Sequence, residues 1–157
     1  MDEQSAGAAQ GERIVKTVVL RAPIQRVWRA ITDHQEFGRW FRAKVDQPFE
    51  VGRTQTGHIT EPGLEYYRWR STVVAMEAPR LFAFRWPNPA DPRAESYDGE
   101  PETLVTFELE EVPEGTRLTI TESGFEAIDE SRRADAVREN TQGWNVQAER
   151  IAAYLGA

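Results

Sequence analysis

ESRRADAVRENTQGWNVQAERIAAYL, residues 130–155, is the stretch on whose reading the architecture turns. Val137, Thr141, Trp144, Ala148, Ile151 and Leu155 recur at gaps of 4, 3, 4, 3 and 4. That is one stripe on a helix of about 3.6 residues per turn. Arg138, Glu139, Gln142, Glu149 and Arg150 fall between them as a polar face. Asp129 or Ser131 can cap the start by accepting a backbone N–H, and Gly156 follows the end. At about 1.5 Å per residue the helix is about 40 Å long. One long helix with one apolar stripe needs a broad surface to cover it, and the rest of the chain reads as a sheet.

Working outward, RIVKTVVL (13–20) is rich in β-branched residues and reads as a strand, stopped by Ala22-Pro23. Pro23 to Thr32 carries Ile24, Val27, Trp28 and Ile31 at helical spacing, with proline in the first turn. Asp33 can cap a second short helix, His34 to Trp40, which Gly38 weakens. From Ala43 the period changes. Strands are expected at Lys44–Phe49, Arg53–Thr60, Glu65–Glu77, Arg80–Trp86, Glu102–Glu110 and Thr116–Thr121. Val51-Gly52, Glu61-Pro62-Gly63, Ala78-Pro79 and Glu114-Gly115 punctuate them. Asn88 to Pro101, proline-rich and acidic, has the composition of a mobile loop. Consecutive strands on short turns give an antiparallel sheet. One face of it can meet water, and the other must be covered by the long helix. The fold class is therefore α+β, a curved sheet wrapping one helix.

A chain of 157 residues is long enough to bury one core. We take residues 13–157 as that single domain and 1–12, MDEQSAGAAQGE, as a disordered tail. The tail lacks the basic and apolar regions of a secretory signal, so a cytoplasmic protein is expected. No apolar run approaches the about 18 residues of a membrane span. The absence of cysteine excludes disulfides, thiolate zinc sites and cysteine nucleophiles. A net charge of −7 argues against a nucleic-acid partner, which needs a concentrated basic face. The 17 arginines against 2 lysines reflect a GC-rich, bacterial genome rather than a binding site.

Ala22-Pro23, then Val27-Trp28-Arg29-Ala30, Thr32-Asp33 and Trp40-Phe41, resemble the opening of the SRPBCC (START-like, Bet v 1-like) superfamily. Thr116 to Phe125 (TRLTITESGF), Asn140 and Gly143-Trp144 are similar to the subgroup related to the C-terminal domain of the heat-shock protein 90 ATPase activator. The resemblance covers Arg13 to Leu155. It implies the helix-grip fold: six to seven antiparallel strands around a long C-terminal helix, two short helices closing one end, and a cavity between sheet and helix. The family's proline-rich strand junction is reduced here to Ala78-Pro79, and the loop from Asn88 to Pro101 is long.

A cavity wall combines apolar surface with a few converging polar groups. The candidate ligand-binding residues are Trp40, Tyr67, Trp69, Phe84, Trp86, Phe107, Glu122, Asn140 and Trp144. Any one of the aromatics is more simply core; as a set they exceed what a tightly filled core needs. Glu122 points inward by alternation from Leu118 and Ile120, where a carboxylate is desolvated and needs partners. Gly143 interrupts the helix, either for close packing on the sheet or to leave room for a ligand, with Asn140 one turn earlier. Arg68 and Arg70 flank Trp69; with Tyr67, Trp69 and Val73 inward both arginines are solvated, and in the opposite register an arginine enters the cavity and needs a carboxylate from protein or ligand. His58, on a strand, is more simply a surface residue than an acid or base, and His34 is structural or solvated. Neither histidines nor carboxylates have metal-ligand spacing, and no cofactor is expected. No nucleophile motif or phosphate loop is present.

Three functions compete. The first is a non-catalytic module holding a small hydrophobic or aromatic ligand. The second is a cyclase, dehydratase or hydrolase using Glu122, His58 and Tyr67, at least two of which would have to converge. The third is a chaperone-linked stress-response partner, suggested by the subgroup's name. A homodimer is left open.

Overall fold

The computed structural model describes residues 12–156. All but the last residue of the expected N-terminal tail therefore lies outside the described residues. The elements run β1 (Ile14–Leu20), α1 (Ile24–Thr32), α2 (His34–Phe41), β2 (Ala43–Val45), β3 (Thr54–Ile59), β4 (Arg68–Glu77), β5 (Leu81–Pro87), β6 (Glu102–Val112), β7 (Gly115–Ser123), a 3-10 turn (Phe125–Ala127) and α3 (Glu130–Tyr154). The seven strands form one curved antiparallel sheet in the order β1-β7-β6-β5-β4-β3-β2. The α+β helix-grip arrangement expected from the sequence is the one observed.

Local chemistry accounts for the element boundaries. Asp33 caps α2, accepting from Gln35 N at 2.9 Å and Glu36 N at 3.0 Å. The same extended residue ends α1, which sets the kink between the two helices. Gly38 is required rather than merely tolerated: a Cβ there would stand 2.2 Å from the Ala43 carbonyl oxygen. Asp129 caps α3 through Ser131 N at 3.1 Å. In register, Phe107 faces Ile120, Leu109 faces Leu118, and Phe82 faces Phe107 across three strands. Phe37, Phe82, Phe84, Phe107, Leu118, Ile120 and Ile151 are fully buried between sheet and helices. Each such side chain contributes about 1.5–3 kcal/mol on leaving water.

Four departures from the sequence reading bear on the site. The strand expected over Lys44–Phe49 ends at Val45; the chain then folds inward so that Phe49 is buried, and Val51 bridges Val73. β4 starts at Arg68 rather than Glu65, so Tyr66 and Tyr67 belong to a turn. β7 runs on to Ser123, which puts Glu122 inside the pleat. On α3 the buried residues are Ala136, Trp144, Ala148 and Ile151, whereas Thr141 is exposed. The Thr141 hydroxyl instead donates to the Val137 carbonyl at 2.7 Å. The stripe thus runs through Asn140, one position round the helix from the expected line.

Candidate functional site

Glu122 is fully buried, on the concave face of β7. Register sets its company. Val105 on β6 lies opposite it, Thr103 is one pleat away on that face, and Trp86 on β5 lies opposite Thr103. The Thr103 hydroxyl donates to Oε2 at 2.6 Å, and Trp86 Nε1 to the same oxygen at 2.9 Å. From the helix, Trp144 Nε1 donates to Oε1 at 2.9 Å, and Asn140 Nδ2 lies 3.2 and 3.1 Å from the two oxygens. Asn140 Nδ2 also reaches Asn88 Oδ1 at 3.1 Å, and Asn88 Nδ2 donates to Thr103 Oγ1 at 2.9 Å. A buried carboxylate is tolerated when its lone pairs are filled, and here neutral donors fill them. Among the described residues no arginine, lysine or histidine pairs with it. The indoles of Trp86 and Trp144 stack above it, centroids 5.5 Å apart and planes 21° apart.

Beside this network lies an open cavity of about 520 Å³ between the sheet and α3. Its helical wall is Glu139, Asn140, Gly143, Val146, Gln147 and Arg150, the face adjoining the buried stripe. Opposite stand Tyr67, Trp69 and Trp86, with Phe41 at the end of α2. Leu64 and Val146 line the space while remaining more than two-fifths exposed, so they form its mouth. A Cβ at Gly143 would meet nothing within 4 Å. Close packing on the sheet is therefore not the reason for that glycine; its bare backbone faces open space. Gln147 Nε2 donates to the Phe41 carbonyl at 3.1 Å, while its buried Oε1 has no partner among the described residues. Burial pushes the Tyr67 hydroxyl above its ordinary range, and Tyr97, Glu122 and Glu139 act in the same direction, so it stays neutral.

The sequence-derived candidates divide into three groups. Tyr67, Trp69, Trp86 and Asn140 line the large cavity, and Trp144 lines a smaller annex with Trp86 and Gln147. Glu122 lies behind that wall and holds three of its members in place. Trp40, Phe84 and Phe107 pack in the aromatic core; Trp40 Nε1 donates to the Ala30 carbonyl at 2.9 Å. His58 is exposed on β3 and His34 lies at the start of α2, both outside the cavity wall. Trp69 is buried while Arg68 is exposed and Arg70 half-buried, and both arginines border the cavity. They reach the Ala94 carbonyl (2.9 Å) and Asp98 (3.2 Å), respectively.

Sequence reasoning passed over Asn88, Glu139, Gln147 and Leu64. Positions 139, 143, 147 and 150 repeat at helical spacing beside Asn140, a signal available in the sequence. Asn88 carried none, because its role depends on register across β5 and β6. The loop from Asn88 to Pro101 is also better anchored than its composition suggests. Tyr97 is buried; its hydroxyl donates to the Pro92 carbonyl and accepts from Arg68 N at 3.1 Å. Arg93 lies over the Tyr66 ring at 3.8 Å. Among the described residues no three acidic or histidine side chains gather as a metal site, and no helix is long and apolar enough to cross a membrane.

Comparison with known proteins gives the same architecture. A family model described as activator of Hsp90 ATPase homolog 1-like protein matches residues 21–156. A protein of Arthrobacter aurescens, solved in solution, superposes with a TM-score of 0.74 at 22% identity, covering 91% of this chain and 85% of that one. A crystallised Mesorhizobium loti protein gives 0.71 at 21% identity, covering 90% and 95%. DynU16, from the dynemicin biosynthetic locus, gives 0.68 at 24% identity over 91% of this chain and 46% of its own. At these identities the structural matches speak to the fold. A search of curated proteins returned no match.

Proposed function

The chain belongs to the family of activator of Hsp90 ATPase homolog 1-like proteins, whose members commonly bind hydrophobic ligands, and from that premise we propose that it is a small-molecule-binding protein. It holds an apolar or aromatic ligand between β4, β5 and α3 and does not convert it. The observation that carries this reading is the cavity of about 520 Å³ with Tyr67, Trp69 and Trp86 on one wall and Gly143 on the other. That volume falls within the range of ligand pockets. A ligand burying about 250 Å² of apolar surface there gains about 6 kcal/mol before the entropic cost of association. Holding is favoured over conversion because, of the three candidate acid–base groups, only Tyr67 lines the cavity. His58 stands on the outer surface, and both oxygens of Glu122 are occupied by donors.

Native mass spectrometry of freshly purified protein tests the proposal. A co-purified small molecule is expected, or else saturable one-to-one uptake of the neutral probe N-phenyl-1-naphthylamine with quenching of tryptophan emission. Absence of both retires the reading.

A further inference from the structure

The aromatic wall of the cavity carries a polar group that the protein itself leaves unused. Trp69 Nε1 donates to Ser71 Oγ at 3.0 Å, and Trp86 Nε1 donates to Glu122 Oε2 at 2.9 Å, so neither indole N–H is free. Tyr67, on the same wall, differs: its hydroxyl makes no hydrogen bond among the described residues. The Tyr97 ring meets the Tyr67 ring edge-on at 5.7 Å, but the Tyr97 hydroxyl is taken up by the Pro92 carbonyl and Arg68 N. Nor is the Tyr67 oxygen sealed in. Among the described residues, the one buried side-chain polar atom that lacks a partner is Gln147 Oε1. The unpartnered Tyr67 hydroxyl is therefore open to the cavity that its half-buried side chain lines.

The residue is fixed in place and keeps its proton. Tyr67 N donates to the Leu64 carbonyl at 3.0 Å, and the Tyr67 carbonyl accepts from Ile59 N at 2.9 Å, which ties its backbone to the turn and to β3. Burial above all, with Tyr97, Glu122 and Glu139 acting in the same direction, keeps the phenol protonated well above neutral pH. It is therefore a donor in search of an acceptor. Both Glu122 oxygens are already occupied, and Glu139 stands across the cavity on the helical wall. An O–H left without an acceptor in a partly desolvated space is costly, and a ligand oxygen removes that cost. Arg68, Arg70 and Arg150 also border the cavity and keep N–H groups to spare. Their charge suits an anion, whereas the phenol offers an uncharged oxygen a hydrogen bond beside the indoles.

Resting on the binding reading above, we infer that Tyr67 determines specificity: the cavity takes an aromatic ligand with an uncharged carbonyl oxygen that accepts from the Tyr67 hydroxyl. The ligand's rings then lie against Trp69 and Trp86. Two uncharged probes of one shape, 2-acetylnaphthalene and 2-isopropenylnaphthalene, differ in that carbonyl oxygen and test the inference. Each is titrated at pH 7 into the intact protein and into Tyr67→Phe, following tryptophan quenching, with the variant's fold checked by circular dichroism. In Tyr67→Phe the ketone is expected to lose about three- to tenfold in affinity, the range one net hydrogen bond carries, and the hydrocarbon less than about twofold. On the unaltered protein, the C=O stretch of the bound ketone is expected below its position in hexane, returning toward it in Tyr67→Phe. Equal losses for the two probes, an unchanged ketone affinity in Tyr67→Phe, or a bound C=O stretch at the hexane position overturns the inference while the binding reading stands. If neither probe binds the unaltered protein, the binding reading falls with it.

Discussion

Gly143→Leu separates the two reasons a glycine can sit in a helix. Its backbone is helical, inside the 25-residue α3, and an added Cβ meets nothing within 4 Å. Glycine costs about 0.8–1.0 kcal/mol against alanine in a helix interior, and leucine recovers most of that. The variant should therefore be about 0.7 kcal/mol more stable, which for a domain of this size raises Tm by about 2 °C. The same side chain projects into the cavity. If it displaces about 60 Å² of ligand contact, binding loses about 1.5 kcal/mol, or roughly tenfold in Kd. Urea unfolding followed by circular dichroism and titration with N-phenyl-1-naphthylamine measure the two effects on one sample. Gly143→Ala is the control, equally stabilised with little loss of affinity. The reasoning fails if Gly143→Leu loses more than 1 kcal/mol of stability, or gains stability with affinity untouched.

Three further outcomes follow from the geometry. Glu122→Gln puts an amide where neighbouring donors need an acceptor, and should cost about 3 kcal/mol in urea unfolding; a loss under 1 kcal/mol would contradict the network. Because burial raises the Tyr67 hydroxyl above the about 10 of the unfolded chain, the unfolded state holds fewer protons above that pH. Stability therefore declines as pH rises beyond about 10, by up to roughly 1.4 kcal/mol per pH unit for this group. Tyr67→Phe should be less sensitive than the parent between pH 9 and 11, and identical pH profiles would refute the assignment. Tyr97→Phe removes one hydrogen bond that ties the 88–101 loop to β4, from Arg68 N, and one inside the loop, to the Pro92 carbonyl. Its amides should exchange hydrogen about tenfold faster, with global stability lowered by about 1 kcal/mol; unchanged exchange would mean that Arg93 and Asp98 suffice.

Periodicity carried most of the architecture. β6 and β7 alternate cleanly, and α3 has one apolar stripe, because each buries one face against the other. The errors arose where tertiary context outweighs pattern. Thr141 fits the 4-3 rhythm as a small residue, but its hydroxyl is satisfied by its own helix and stays in water, while Asn140 turns inward because Glu122 is there to receive its amide. Tyr66 and Tyr67 look like strand residues by propensity, yet the turn from Glu61 carries them to the cavity before β4 begins. Glu122 and Trp144 were legible as candidates from alternation and spacing. Thr103 and Asn88 were not, since nothing local reveals that residues 15 apart meet across two strands. The aromatic excess was visible as a total, but its division into core and wall depends on how far the sheet curves away from the helix.

The Glu122 network also decides which side of the cavity can yield. Its carboxylate is gripped from β5, β6 and α3 together, so sliding the helix outward would strand the Asn140 amide and the Trp144 indole, at about 1–3 kcal/mol for each buried donor. The opposite jaw is held at its base, where Glu61 pairs with Arg42 at 2.7 Å and with Arg150 at 2.8 Å. Beyond that base Leu64 is more than two-fifths exposed and Tyr66 lies under the Arg93 guanidinium. A guest larger than the resting space is therefore accommodated more readily at the exposed Leu64 and half-buried Tyr66 side chains than by moving the helix. Evolution could retune guest size by rewriting those two residues, leaving the helix and its carboxylate anchor untouched.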